Sequence, residues 1–436
     1  MVQALAPLQA GQASLSFVSF FETFGPAFLA LGWFIVLWML MWLAWNVYLL
    51  LRRIDYSSAI QWTFLEVKIP PDSEETPKSM ELFFEIIAGM HKTPDKTELY
   101  FDGMMEPWIS CEIQCTQGKV RYFLVIQTPY RQFIEGVLYG QFPRAEITEA
   151  EDYTLKYNWK EIRKKFDLFG TEVVMTGEEF YPIRTYLEYE TKLAEEDKYI
   201  DPHQGIVETF TAINPGEEFW LQIIVRPIDA GTIKKWAEKG QHEIALISGQ
   251  AKKEGPGILA SLGDFFVSLP GALISAFMTG PTEASSKDEY QLRFFNPTDE
   301  AKMKGILQKV SKAGFKTKIR VLHIAPAGQL QKPNIGRAFG AFKQFNTFHL
   351  NSLKPDSATK SNGPNYIARD SRRALRERKI FLQYQWREIW YGDGKMFNAE
   401  ELATLYHFPS KYVKTPGLAR SKSGLQAPPD NLPLAG

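Results

Sequence analysis

The sequence predicts an α+β protein: an N-terminal transmembrane helix, a ferredoxin-like βαββαβ domain, and a second, related α/β domain carrying an amphipathic helical insertion. Three observations carry that reading. No charged residue stands between Glu22 and Arg52, so residues 24–53 form an apolar run longer than the roughly 20 residues an α-helix needs to cross a bilayer core. From Trp62 to Glu149, hydrophobic periods of two and of 3.6 residues follow one another in the order strand, helix, strand, strand, helix, strand. After residue 165 similar patterns return, interrupted by an apolar stretch at 255–282.

The apolar run also sets an orientation. No Lys or Arg precedes it, whereas Arg52 and Arg53 close it and many basic residues follow. The positive-inside rule therefore places residues 1–23 outside as an external tail and the remaining ~380 residues in the cytoplasm, at the inner membrane. The leader lacks the basic start of a cleavable signal peptide, so the helix is expected to stay as an anchor. Trp38, Trp42 and Trp45 form one stripe with Asn46 beside it. Two readings remain open for that stripe: an aromatic belt facing lipid, or a helix-pairing face through which the chain self-associates.

In the 60–155 domain, Leu65, Val67 and Ile69 alternate with Glu66 and Lys68 as a first strand. Thr76 and Pro77 open a helix with Met80, Phe83, Phe84 and Ile87 inward. Trp108–Cys115 and Val120–Gln127 form a hairpin about Gln117 and Gly118, Thr128 and Pro129 start a helix carrying Phe133, Ile134, Val137 and Leu138, and Ala145–Glu149 closes as a strand. Cys111 and Cys115 share one strand face about 13 Å apart, too far for a disulfide, and read as reduced thiols.

The second domain is read over 165–250 and 288–395. Strand-like stretches lie at Thr171–Met175, Thr185–Glu190, Phe219–Val225, Gln291–Phe295 and Lys318–Ala325. Helices are expected at Gln204–Ile213, Ile233–Ile247, from Thr298 with Met303, Ile306, Leu307 and Val310 inward to a stop at Gly314, and at Arg337–Phe345. In the 255–282 insertion, Ile258, Leu259, Leu262, Phe265, Phe266 and Leu269 make one apolar stripe before Pro270. Lysines flank it on both sides. An interfacial helix on the inner leaflet, a protein-packing helix pair and a second span compete for it. Asn398 and Glu401 form a capping box for a helix within 396–412, and 413–436 reads as a flexible tail.

Composition and motifs bound the chemistry. Fifty basic residues balance fifty acidic ones, so any polyanion contact needs a local patch. Gly118-Lys119 is followed by Val120 and Gly394-Lys395 by Met396, so neither is a nucleotide-binding P-loop. Six scattered histidines and two strand cysteines give no zinc spacing, and no catalytic, cofactor or metal residues are expected. One local patch stands out: Arg369, Arg372, Arg373 and Arg376 make a helical stripe able to grip phosphates of nucleic acid or of lipid, or simply a solvated face paired with Asp370 and Glu377.

Several strings are familiar as a group: Gly340-Ala-Phe-Lys-Gln-Phe-Asn346, Arg372-Arg373, Leu402-Ala-Thr-Leu-Tyr-His-Phe-Pro-Ser410, the Pro-Pro-x-Asn-Leu-Pro ending, Phe133-Ile-Glu-Gly-Val-Leu-Tyr-Gly-Gln-Phe-Pro143 and Glu149-Ala-Glu-Asp-Tyr153. On these the chain resembles the membrane-anchored N-terminal half of type IV secretion and conjugation-like DNA-transfer ATPases of candidate phyla radiation bacteria. It stops where the HerA/FtsK-class motor domain would follow. The resemblance implies a non-enzymatic membrane scaffold that docks a separately encoded ATPase. The alternative is a membrane-surface lipid-binding protein without a motor partner.

Overall fold

The computed structural model describes residues 12–190, 201–249, 296–362, 367–392, 394–413 and 415–421. The chain divides into two units, residues 1–60 with 94–105, and residues 61–93 with 106–436.

The first unit is built on α1 (Gln12–Ala59), 48 residues and so about 72 Å long. Its Gly32–Ala59 portion contains an 18-residue stretch of mean hydropathy 2.0, none of it buried, and is long and apolar enough to cross a membrane. The helix outruns the expected 24–53 at both ends. Residues 12–23, read as an external tail, contain no Gly or Pro to stop it, and at the far end the Ser57 and Ser58 hydroxyls bond back to the Ile54 and Asp55 carbonyls at 2.9 Å. Asn46 likewise donates to the Trp42 carbonyl at 2.7 Å. Residues 94–105 pack on this helix through Tyr100, 5.8 Å from Trp45, and Arg52 donates to the Phe101 carbonyl. Gly103 at φ +67° is required there, because a Cβ would stand 2.4 Å from the Arg52 carbonyl carbon.

The second unit is organised by a sheet of nine strands among the described residues, in the order β4-β1-β3-β2-β6-β7-β5-β8, with β9 (Lys395–Asn398) also on β7. All named pairs are antiparallel. The first half runs β1 (Trp62–Lys68), α2 (Pro77–Ile87), β2 (Ile109–Thr116), β3 (Lys119–Gln127), α3 (Arg131–Gln141), β4 (Glu146–Glu149). Gln117 at φ 51° and Gly118 at φ 73° make the two-residue hairpin turn whose twist suits the strands. After α4 (Trp159–Lys165), the second half runs β5 (Phe166–Met175), α5 (Leu187–Glu190), α6 (His203–Thr211), β6 (Glu218–Pro227), β7 (Gly314–Pro326), α9 (Lys332–Phe342), β8 (Leu353–Pro355). Where the first half has its tight turn, the second inserts α7 (Ala230–Ser248) and α8 (Pro297–Val310). Each half has the neighbour order 4-1-3-2, and the two are mirrored about the β2–β6 ladder.

That ladder, from Ile109↔Val225 to Thr116↔Glu218, joins the stretches read as separate domains into one sheet. The physical reason lies in β2 and β6 themselves. Nearly every residue of both is buried, and a long apolar strand left as an open edge would pair with another chain.

The sheet is covered on both faces. On one, Leu65, Val67, Cys111, Ile113, Leu221 and Ile319 meet α2, α3, α6, α9 and α11 (Ala399–Leu405). On the other, Phe123, Val125, Trp220 and Leu322 meet Ile162 of α4 and Ile380, Phe381 and Tyr384 of α10 (Arg369–Gln385). Several expectations need correction. Leu187–Glu190 is a helical turn inside the expected 185–190 strand. Phe133 and Leu307 are exposed, and Lys309 takes the inward place on α8. Asn296, not Thr298, caps α8, and Gly314 begins β7. The 396–412 helix shortens to α11 behind its capping box. The start of the 413–436 tail is held: Val120 donates to the Gly417 carbonyl at 2.9 Å and Ala419 to the Val120 carbonyl at 3.0 Å, and Val413 is buried. The 255–282 insertion and the 291–295 strand lie outside the described residues.

Candidate functional site

Three groupings of charged side chains follow from this architecture. The first is a polar rank across the sheet on the α10 face. Cross-strand register aligns Glu112 of β2, Gln222 of β6, Arg320 of β7 and Glu172 of β5. Gln222 Nε2 donates to Glu112 at 2.9 Å, Arg320 Nη1 to Gln222 at 3.1 Å, and Arg320 Nε to Glu172 at 3.0 Å. From above, Arg387 Nε meets Glu112 at 3.0 Å and its Nη1 meets Asp152 at 2.7 Å, while Tyr153 donates to Glu112 at 2.7 Å. Burial opposes the Arg387 charge, but Glu112 and Asp152 raise its pKa. Burial likewise lowers that of Lys318, which stands 3.7 Å from Glu388. Glu112 and Arg320 are wholly inaccessible, so the rank fastens the two halves together and offers no reaction site.

The second grouping lies on the opposite face. His407 Nδ1 lies 2.7 Å from the Ala403 carbonyl and its Nε2 lies 2.7 Å from Asp201, which also accepts from Ser410 at 3.1 Å. Both ring nitrogens therefore face oxygen atoms of the protein. Despite burial, His407 and the bonds it makes hold Asp201 at about 2. His203 lies against His407 with ring centres 4.8 Å apart and planes tilted by 51°, and burial with the His407 charge depresses its pKa to about 3. The order Ser410, Asp201, His407 puts the carboxylate in the middle, so the serine donates to a carboxylate held at about 2, too weak a base to activate a nucleophile.

The third is a buried ion pair, Lys309 with Glu401 at 3.0 Å, both fully inaccessible. Burial drives the lysine pKa down and the carboxyl pKa up. Above it a cleft of about 400 Å³ opens between α8 and residues 182–188, with Gln308, Asn398 and Glu400 in its wall. Among the described residues no group of three or more His, Cys, Asp or Glu is placed to hold a metal ion.

The arginines singled out in the sequence lie on α10 and divide. Arg369 is exposed, Arg372 Nε donates to the Ile367 carbonyl at 3.0 Å, Arg373 pairs with Glu377 at 2.6 Å, and Arg376 donates to the Lys360 carbonyl at 3.1 Å. Exposed Lys160, Arg163, Lys164 and Lys165 of α4 join them on the same face, where Trp159 meets Phe381 at 6.1 Å. Ile258, Leu262, Phe265, Phe266 and Leu269 lie outside the described residues. The polar rank was missed in the sequence because Ser110, Glu112 and Gln114 alternate with apolar residues as a solvent-facing set would, yet all three are buried.

The comparison with curated proteins finds no match. Residues 54–421 match the family described as "Domain of unknown function (DUF8128)". The match begins just after Arg53 and ends at Ser421, whose backbone N–H reaches the Ile69 carbonyl at 3.4 Å, so it spans the whole sheet with its closing strap. Covering most of the chain, it places this protein in the DUF8128 family.

Proposed function

We propose that this protein is a non-enzymatic, single-pass scaffold of the inner membrane, with its N-terminus outside and its bulk cytoplasmic. In this reading it is an accessory subunit of a type IV secretion-like apparatus for DNA or protein, and it docks a separately encoded HerA/FtsK-type ATPase. The observation that carries the reading is the pairing of one long apolar helix with a folded unit held by buried ion pairs, Lys309–Glu401 and Arg387–Glu112. Such a unit is suited to holding shape and presenting surface. The mirrored 4-1-3-2 strand orders further support reading each half as a ferredoxin-like split βαβ unit.

Co-expression with the HerA/FtsK-type ATPase encoded nearest the gene tests this. The ATPase should move into the membrane fraction with the full chain and stay soluble without it. An ATPase that remains soluble in both cases would favour the alternative, a membrane-surface lipid-binding protein without a motor. Saturable micromolar binding of ATP by the purified chain would contradict the non-enzymatic reading.

A further inference from the structure

Of the four arginines singled out in the sequence, Arg372 lies on the outward side of α10, where apolar residues accompany it. Arg372, Leu375, Lys379, Leu382 and Trp386 succeed one another at steps of three and four, on the side opposite buried Glu377, Ile380, Phe381 and Tyr384. Leu375 is 65% exposed and Trp386 57%, and Tyr391, 56% exposed, lies under Lys379 with the ammonium 3.7 Å from its ring centre. Leu155, 71% exposed, is brought alongside by the Gln385 bond to the Thr154 carbonyl. The two helices beneath this surface hold ten basic residues, Lys160, Arg163, Lys164 and Lys165 on α4 and Arg369, Arg372, Arg373, Arg376, Arg378 and Lys379 on α10, against Glu161, Asp370 and Glu377. Two of those acids are already taken, Glu161 by Lys165 at 3.4 Å and Glu377 by Arg373.

We propose that the α4–α10 surface rests on the anionic headgroups of the same membrane that α1 spans; this rests on the reading of α1 as the anchor. Charge complementarity selects an anionic partner. Trp386 and Tyr391 would suit a base or a lipid headgroup alike, but the exposed leucines, Leu155 and Leu375, contribute nothing to base stacking, whereas exposed aliphatic side chains amid lysines and arginines match a headgroup and acyl boundary. Tethering by α1 keeps such a surface permanently available at high local concentration, so a weak contact suffices.

The test uses the full chain in nanodiscs of phosphatidylcholine, alone or with about 30% phosphatidylserine. An environment-sensitive fluorophore goes on Leu375→Cys; the native Cys111 and Cys115 are fully buried and stay unlabelled. Its emission should shift to the blue only in the anionic discs and return at about 0.5 M salt. Lys164→Glu, Arg378→Glu and Lys379→Glu, at three exposed positions, should together abolish the shift, each weakening the contact about fivefold or more, with thermal unfolding lowered by no more than the loss of the Lys379–Tyr391 contact. Equal emission in both discs, with the chain incorporated in both, overturns the proposal and leaves the anchor standing; failure to incorporate overturns the anchor itself. A shift produced by single-stranded or duplex DNA in neutral discs, and absent with phosphatidylserine, makes the surface a nucleic-acid site and overturns the lipid assignment.

Discussion

Arg387 and Glu112, 275 residues apart, meet at 3.0 Å beneath the carboxy-terminal end of α10, at the ladder that joins the two halves of the sheet. Arg387 stands at φ 49°, a left-handed conformation unusual for a residue with a side chain, and its carbonyl accepts the Trp108 indole N–H at 3.0 Å. Backbone and side chain are thus both committed to the junction.

Arg387→Met should therefore cost about 3–5 kcal/mol, because it leaves Glu112 and Asp152 without their cation. Unfolding of the full chain in detergent, followed by tryptophan fluorescence, measures it. A loss below about 1 kcal/mol, the scale of an exposed pair, would contradict the role given to this residue.

The Lys309–Glu401 pair gives a second test. Lys309→Met alone strands a buried carboxylate and should be strongly destabilising. Lys309→Met combined with Glu401→Gln should recover part of the loss, since no buried charge is then left without its partner, while the single amide oxygen can accept from only one of the two backbone N–H groups, Ile183 and Asn398, that the carboxylate oxygens take up. Strict additivity in the double-mutant cycle would refute the coupling.

Stability should depend on pH through His203. Folded, its pKa is about 3 against 6.5 for the free side chain, so between those values the unfolded chain binds more protons. Stability is then complete above about pH 6.5 and declines as pH falls toward 3. Asp201 adds a further loss from about 3.8 down to about 2 as its carboxylate protonates. His203→Leu should flatten the melting-temperature profile between pH 6.5 and 4 while leaving pH 8 little changed. The residual slope belongs in part to His323, whose pKa burial also lowers. An unaltered slope in the variant would contradict this assignment.

Burial pushes the Cys115 thiol up to about 12 and Cys111 well above its ordinary value. Neither should react with a chromogenic disulfide reagent at pH 8 until the chain is unfolded, when both should. Fast native reactivity of either thiol would contradict their place in the core.

What was legible in the sequence was local. The β1–β4 elements announced themselves through short-range periodicity and turn residues such as Gln117 and Gly118, and the Asn398–Glu401 capping box was readable from its spacing. The pairing of β2 with β6 was not, because register between distant strands leaves no mark in either one. The basic stripe was seen on α10 but its division was not, since Glu377 and the Lys360 carbonyl claim Arg373 and Arg376 only once α10 is seated. Lys309 was hidden by its charge: a lysine at an inward helix position reads as surface until its partner Glu401 is placed beside it.

The central claim is that one helix holds the folded unit on the cytoplasmic side of a membrane. Its most direct test is labelling intact cells with an impermeant maleimide, using Ala10→Cys before α1 and, separately, Ser357→Cys at an exposed position of the folded unit. The account predicts labelling of Ala10→Cys from outside and of Ser357→Cys only after the cells are opened. Labelling of Ser357→Cys in intact cells, or release of the chain from membranes by alkaline carbonate, would contradict it.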